Sequence, residues 1–204
     1  MFAQTPIHLG SMLDVFEQQC RVQTCASFAA ANDGAVYEEA TEGDDPVPRG
    51  EIISFFHSQI LPRASLRALA ASMVRARVDV DLTTISIAVV LMLRYNTQKP
   101  VTAHMMHRLF VACVLLGAKA HQDKFPCNKL LGTAVGVRLS EMNRIEVTLS
   151  AALDWRLVVT QQDVNDAVVT LARPPPRGGA TFGESVSGDS VYVPRDRENT
   201  MSMR

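Results

Sequence analysis

The chain has 204 residues, 47% of them hydrophobic, enough to bury one domain's core but with little room for a second full-sized domain. Twenty lysines and arginines face 21 acidic residues, a formal charge of −1, so the whole chain lacks the electropositive field of a strong nucleic-acid binder and no direct nucleic-acid contact is expected. The four cysteines, Cys20, Cys25, Cys113 and Cys127, contain no C-x₂-C pair of the zinc-module kind and read as reduced thiols of an intracellular protein, cytoplasmic or nuclear.

Ser11 to Cys20 predicts a short amphipathic helix, with Ser11 as cap, Asp14 near the positive end, and Met12, Val15, Phe16 and Cys20 as an apolar stripe. From Asn32 to Gly50 the composition changes. Asp33, Glu38, Glu39, Glu42, Asp44 and Asp45 accumulate without an intervening base, and Pro46, Pro48 and Gly50 close the stretch, which reads as a solvated linker. Residues 1–50 are thus an N-terminal extension with a helix and an acidic linker.

An apolar phase begins at Ile52 and is interrupted by Pro62. Ser65 to Val78 follows as the first core helix, with Leu66, Leu69, Met73 and Val74 at helical spacing and Arg67, Arg75 and Arg77 pointing away. Asp81 to Thr84 supplies a cap for a second helix reaching about Asn96, ended by Pro100. Its stretch Ile85–Leu93 is apolar nearly all round, the pattern of a central helix with neighbours on every side; a buried strand is the rival reading. A third helix spans about Thr102 to Gln122, and Cys127 to Val135 reads as a short connecting helix. After Gly136, Ser140 caps a fifth helix with Met142, Ile145, Leu149, Ala152 and Leu153 inward, and Trp155 and Leu157 extend the packing beyond it. A last helix starts near Gln161 and stops before Pro174, and from Arg177 onward Gly, Ser and charged residues predict a mobile tail.

No catalytic or cofactor signature emerges. The Gly-rich fragments lie in the tail, away from any strand and helix that would make a phosphate loop. His104 and His107 share a helical face, but no carboxylate or cysteine beside them completes a metal site. The windows Ile85–Leu93 and Leu109–Ala118 are well short of the roughly 20 residues that span a bilayer, and no secretory leader opens the chain. No cofactor, metal or membrane contact is expected.

One resemblance is specific. Phe55-Phe56-His57-Ser58 with Pro62, then Met106 to Ala112 with Gly117-Ala118-Lys119, then Asn128, Gly136 to Glu146 and Leu153-Asp154-Trp155-Arg156-Leu157 occur in one order and spacing. Over about residues 52–160 this resembles the cyclin box of the yeast-type P/U cyclins, which activate a phosphate-responsive kinase. The resemblance implies an all-α fold: a single five-helix cyclin box at residues 51–172, with a helical N-terminal extension and a flexible tail at 173–204. It implies a noncatalytic subunit that binds and activates a cyclin-dependent-type serine/threonine kinase, with cell-cycle control the first role to consider.

Cyclins grip the kinase beside its regulatory helix through a lysine near the end of the third box helix and a glutamate on the fifth. Lys119 in Gly117-Ala118-Lys119 and Glu146 in Asn143-Arg144-Ile145-Glu146 match them, and Phe110 and Phe125 are expected as aromatic contacts nearby. An ammonium donates to backbone carbonyls and a carboxylate accepts from backbone amides, so such a pair holds a segment without reacting with it. The chain departs from the family where Leu93 replaces an aspartate of the second helix and Ser72 stands at an expected arginine. Losing both charges leaves neither unpaired, but Ser72 and Met73 need not reproduce the family's substrate-docking surface. The alternatives are a helical interaction adaptor without kinase activation and a transcription-associated cyclin-fold protein.

Overall fold

Helix ends in this chain are written in short polar residues. Ser65 Oγ accepts from Ala68 N at 3.1 Å, Asp81 Oδ1 from Thr84 N at 2.7 Å, and Cys127 Sγ from Leu130 N at 3.4 Å, each satisfying a donor that a helix start leaves unpaired. Thr160 and Asp163 exchange bonds in a capping box, Thr160 N to Asp163 Oδ2 at 2.6 Å and Asp163 N to Thr160 Oγ1 at 3.2 Å. The computed structural model describes residues 6–31, 54–58, 60–76 and 79–172, except for the side chains of 6–8 and 25–31.

The described secondary structure is helical throughout: α1 (Pro6–Ala31), α2 (Leu66–Arg75), α3 (Leu82–Gln98), α4 (Ala103–His121), α5 (Asn128–Val135), α6 (Leu139–Ala152) and α7 (Gln161–Ala172). The expected five-helix box is α2 to α6, flanked by α1 and α7, and the stretch after Thr83 is a helix rather than a strand. The acidic linker and the tail lie outside the described residues.

Two expectations are corrected by the packing. The central helix is α4, which touches α1, α2, α3, α5 and α6, while α3 lies beside it against α1 and α7. From Ala103 to Ala118 every residue of α4 except Arg108 is buried. Phe110 is among them with no exposed surface, so it builds the core and presents nothing to a partner. Gly117 explains how closely α3 and α4 approach: a Cβ there would stand 2.9 Å from Ile87 Cγ2. Burial also fixes the thiols, pushing Cys20 up to about 12 and Cys113 well above its ordinary value.

The N-terminal helix is longer than expected and belongs to the packed body. Met12, Leu13, Phe16 and Cys20 are buried, whereas Val15 is only partly so. Its polar side chains reach two other helix starts. Glu17 Oε2 accepts from Leu66 N at 2.8 Å while Arg21 pairs with its other oxygen at 2.9 Å, and Thr24 Oγ1 accepts from Ala103 N at 2.8 Å. Because Thr102 makes no side-chain capping bond, α1 supplies the cap that α4 does not provide for itself.

Candidate partner-binding site

Lys119 stands in the last turn of α4, and its Nζ meets Glu146 Oε1 of α6 at 2.5 Å. The two side chains keep 28% and 19% of their surface exposed, enough for an arriving chain to reach them. Asn128, the first residue of α5, donates to Glu146 Oε2 at 2.5 Å and to Asn143 Oδ1 at 2.8 Å, so both hydrogens of its amide fix the acceptors around the pair. Three helices thus assemble a small cluster in which Lys119 has donors to spare and the oxygens of Glu146 and Asn143 can accept. Such a cluster suits a backbone segment, whose carbonyls and amides need both kinds of partner.

The α4–α6 angle that creates this cluster is pinned twice. Arg108 of α4 pairs with Glu141 at 2.5 Å, and Glu141 and Glu146 lie about 140° apart around α6 at 3.6 residues per turn, so the bridges sit on different flanks. The lead-in segment adds to the outer side: Phe55 is 50% exposed, with the Arg144 guanidinium 4.7 Å from its ring centroid, while Phe56 is buried edge-on to Tyr95. His104 and His107 hold this segment. His104 Nδ1 lies 3.2 Å from Ser58 O, and His107 Nε2 bonds Ala64 O, with burial pushing His107 below its ordinary value.

Beyond α6 the chain does something unexpected. Asp154 and Trp155 both take left-handed backbone, with φ of 50° and 58°, at a cost on the order of 1 kcal/mol for each non-glycine residue. The turn that results exposes 70% of Trp155, which corrects the expectation that this side chain extends the core. Leu157 does pack against the core. Trp155 N donates to Ser150 O at 2.9 Å, and Ser150 Oγ donates to Glu146 O at 2.9 Å, so the left-handed pair begins about two helical turns past Glu146.

The sequence profile of the cyclin N-terminal domain matches residues 54–158, just over half of the chain. The chain belongs to the cyclin family. Among its relatives, Cyclin-P3-1 of Oryza sativa subsp. japonica is 32% identical over 108 residues, 52% of this chain and 45% of the relative. Cyclin-P1-1 of the same plant is 34% identical over 62 residues, 30% of this chain and 24% of the relative. PHO85 cyclin-9 of Saccharomyces cerevisiae is 36% identical over 64 residues, 30% of this chain and 21% of the relative. The matches span less than half the length of these cyclins.

Within this cyclin box, Lys119 and Glu146 come together, Phe125 lies 47% exposed between α4 and α5, and Phe110 is withdrawn into the core. The departures from the family pattern are electrically quiet: Ser72 Oγ bonds its own helix at Leu69 O, 2.7 Å, and Leu93 packs partly buried against the core. From the sequence, Asn128 had no expected place beside the pair, and Val147 and Trp155 were not expected as exposed apolar residues. Val147, 62% exposed, was legible as the apolar residue out of phase with Met142, Ile145 and Leu149. Trp155 was not, because nothing in its identity announces a left-handed turn.

Proposed function

We propose that this cyclin is a noncatalytic subunit that binds and activates a cyclin-dependent-type serine/threonine kinase, with a role in cell-cycle control. The observation that carries the reading is the Lys119–Glu146 pair, brought together at the surface from helices 27 residues apart in sequence and buttressed by Asn128. Lys119 donates to carbonyls and Glu146 accepts from amides of a kinase segment beside its regulatory helix. Trp155 and Phe125 supply exposed aromatic surface of the kind that anchors interfaces, and Val147, next to Glu146 in sequence, is exposed as well. Binding only the arrangement in which the kinase's own catalytic groups are aligned shifts its population toward activity, while ATP, metal and phosphoryl transfer belong to the kinase.

The partner for which the yeast relative PHO85 cyclin-9 is named is the first type to try. The full chain is added to such a kinase, and phosphorylation of a generic substrate is compared with kinase alone. Activation that is lost in Lys119→Ala/Glu146→Ala supports the reading. Stable binding without added turnover means an adaptor, and undiminished activation by the double variant removes the pair from the interface.

A further inference from the structure

Trp155 lacks the packing that normally fixes a tryptophan. It lines an open groove of about 550 Å³ between the end of α3 and the turn after α6, together with Arg94, Thr97, Gln98, Leu153, Arg156, Leu157 and Val158. Most of the indole faces water, so side-chain burial does not hold two successive residues in left-handed backbone. From the backbone side Trp155 N donates to Ser150 O and Leu157 N to Trp155 O, each at 2.9 Å, and one side chain adds to these bonds.

Arg94 does so from α3. Its Nη1 donates to Arg156 O at 3.0 Å and to Val158 O at 2.9 Å, two carbonyls on alternate residues directly after the left-handed pair. Its Nη2 meets Asp163 Oδ1 of α7 at 3.1 Å, so the two nitrogens of the fork serve different elements. From the opposite side, His121 Nε2 accepts from Val159 N at 3.1 Å. The carbonyls that Arg94 takes would otherwise have only water across the groove, and no other described side chain bonds them.

We propose that Arg94 is the positioning residue of the partner surface: by taking the Arg156 and Val158 carbonyls it holds the turn that presents Trp155 to the kinase. This rests on the reading of Trp155 as a kinase contact, but the positioning itself is measurable without a partner. Trp155 is the only tryptophan of the chain, so selectively excited fluorescence reports on it alone.

In Arg94→Met, which keeps the apolar stem and loses every donor, the residual anisotropy of the indole falls while the helical circular dichroism stays. Arg94→Lys, a point donor that reaches one carbonyl at a time, recovers part of it. Asp163→Asn leaves both carbonyl bonds in place and leaves the anisotropy at the parent value. With the activated kinase, Arg94→Met weakens binding about tenfold in the parent but by less than about twofold in a Trp155→Ala background, because the effect runs through the indole. A general loss of structure would instead weaken both backgrounds alike.

Unchanged anisotropy in Arg94→Met overturns the inference. If that variant does not fold, Arg94→Lys and Asp163→Asn decide: equal release of the indole by both means that α7 docking, not the carbonyl bonds, holds the turn, and the inference fails. Anisotropy that falls as expected with no change in kinase affinity spares the positioning role and removes Trp155 from the interface.

Discussion

The α3–α4 pair and the turn after α6 are built on opposite terms. In α3–α4 most side chains are buried and the backbone is ordinary helix, so position follows from packing. In the turn two residues take left-handed backbone, the main side chain is in water, and the segment is tied down by local backbone bonds and by hydrogen bonds to Arg94 and His121. The first region makes a platform that tolerates little change in volume; the second mounts on it a surface that can change without disturbing the platform.

The contrast breaks most visibly at Phe110. Phe110→Ala empties a fully buried site and is expected to cost ~3–5 kcal/mol, read as a lower urea midpoint. A loss below ~1 kcal/mol would mean that Phe110 reaches the surface and that its first assignment as a contact stands. Gly117→Ala is a smaller intrusion at the same crossing. Its methyl would meet Ile87 Cγ2 at 2.9 Å, and overpacking of this kind costs ~1–3 kcal/mol. Combined with Ile87→Ala the penalty should shrink, and a strictly additive double variant would place the strain elsewhere.

Trp155→Ala tests the other side. Stability should stay within ~0.5 kcal/mol of the parent, because a side chain 70% in water loses little packing. Kinase affinity should nevertheless fall about tenfold, the behaviour of an aromatic anchor. A variant that is destabilised and binds normally would reverse the comparison.

What could be read in the sequence divides along the same line. Ile85–Leu93 and Leu109–Ala118 announced buried helices because apolar content and length are local properties, and Ser65 and Asp81 announced helix starts through their own side chains. Lys119 and Glu146 were singled out through the family pattern, and that they pair needed the fold. The errors came from competition between neighbours. Which of two apolar helices is central depends on what covers them, and α1 and α6 flank α4. Phe110, expected outside, is buried and Trp155, expected inside, is exposed, because aromatic identity favours both cores and surfaces. Glu17 and Thr24 carry no signal for capping helices 49 and 79 residues away.

The smallest effect concerns the fastening of α7. The Asp163 carboxyl is held below its ordinary 3.8, first by bonds from the Thr160 hydroxyl and backbone and then by Arg94. A carboxyl lowered on folding binds its proton more readily in the unfolded chain, so its contribution is complete above the ordinary carboxylate range and is lost as pH falls through the lowered value. Asp163→Asn keeps the shape and removes the charge. Its stability should lie about 0.5–1 kcal/mol below the parent at neutral pH, the scale of a cap and a partly exposed ion pair, and the two urea midpoints should converge in acid. Since Arg94 keeps its two carbonyl bonds, the indole of Trp155 should not register the change. A gap that persists undiminished below the ordinary carboxylate range would show that the charge of Asp163 is not what fastens α7 to α3.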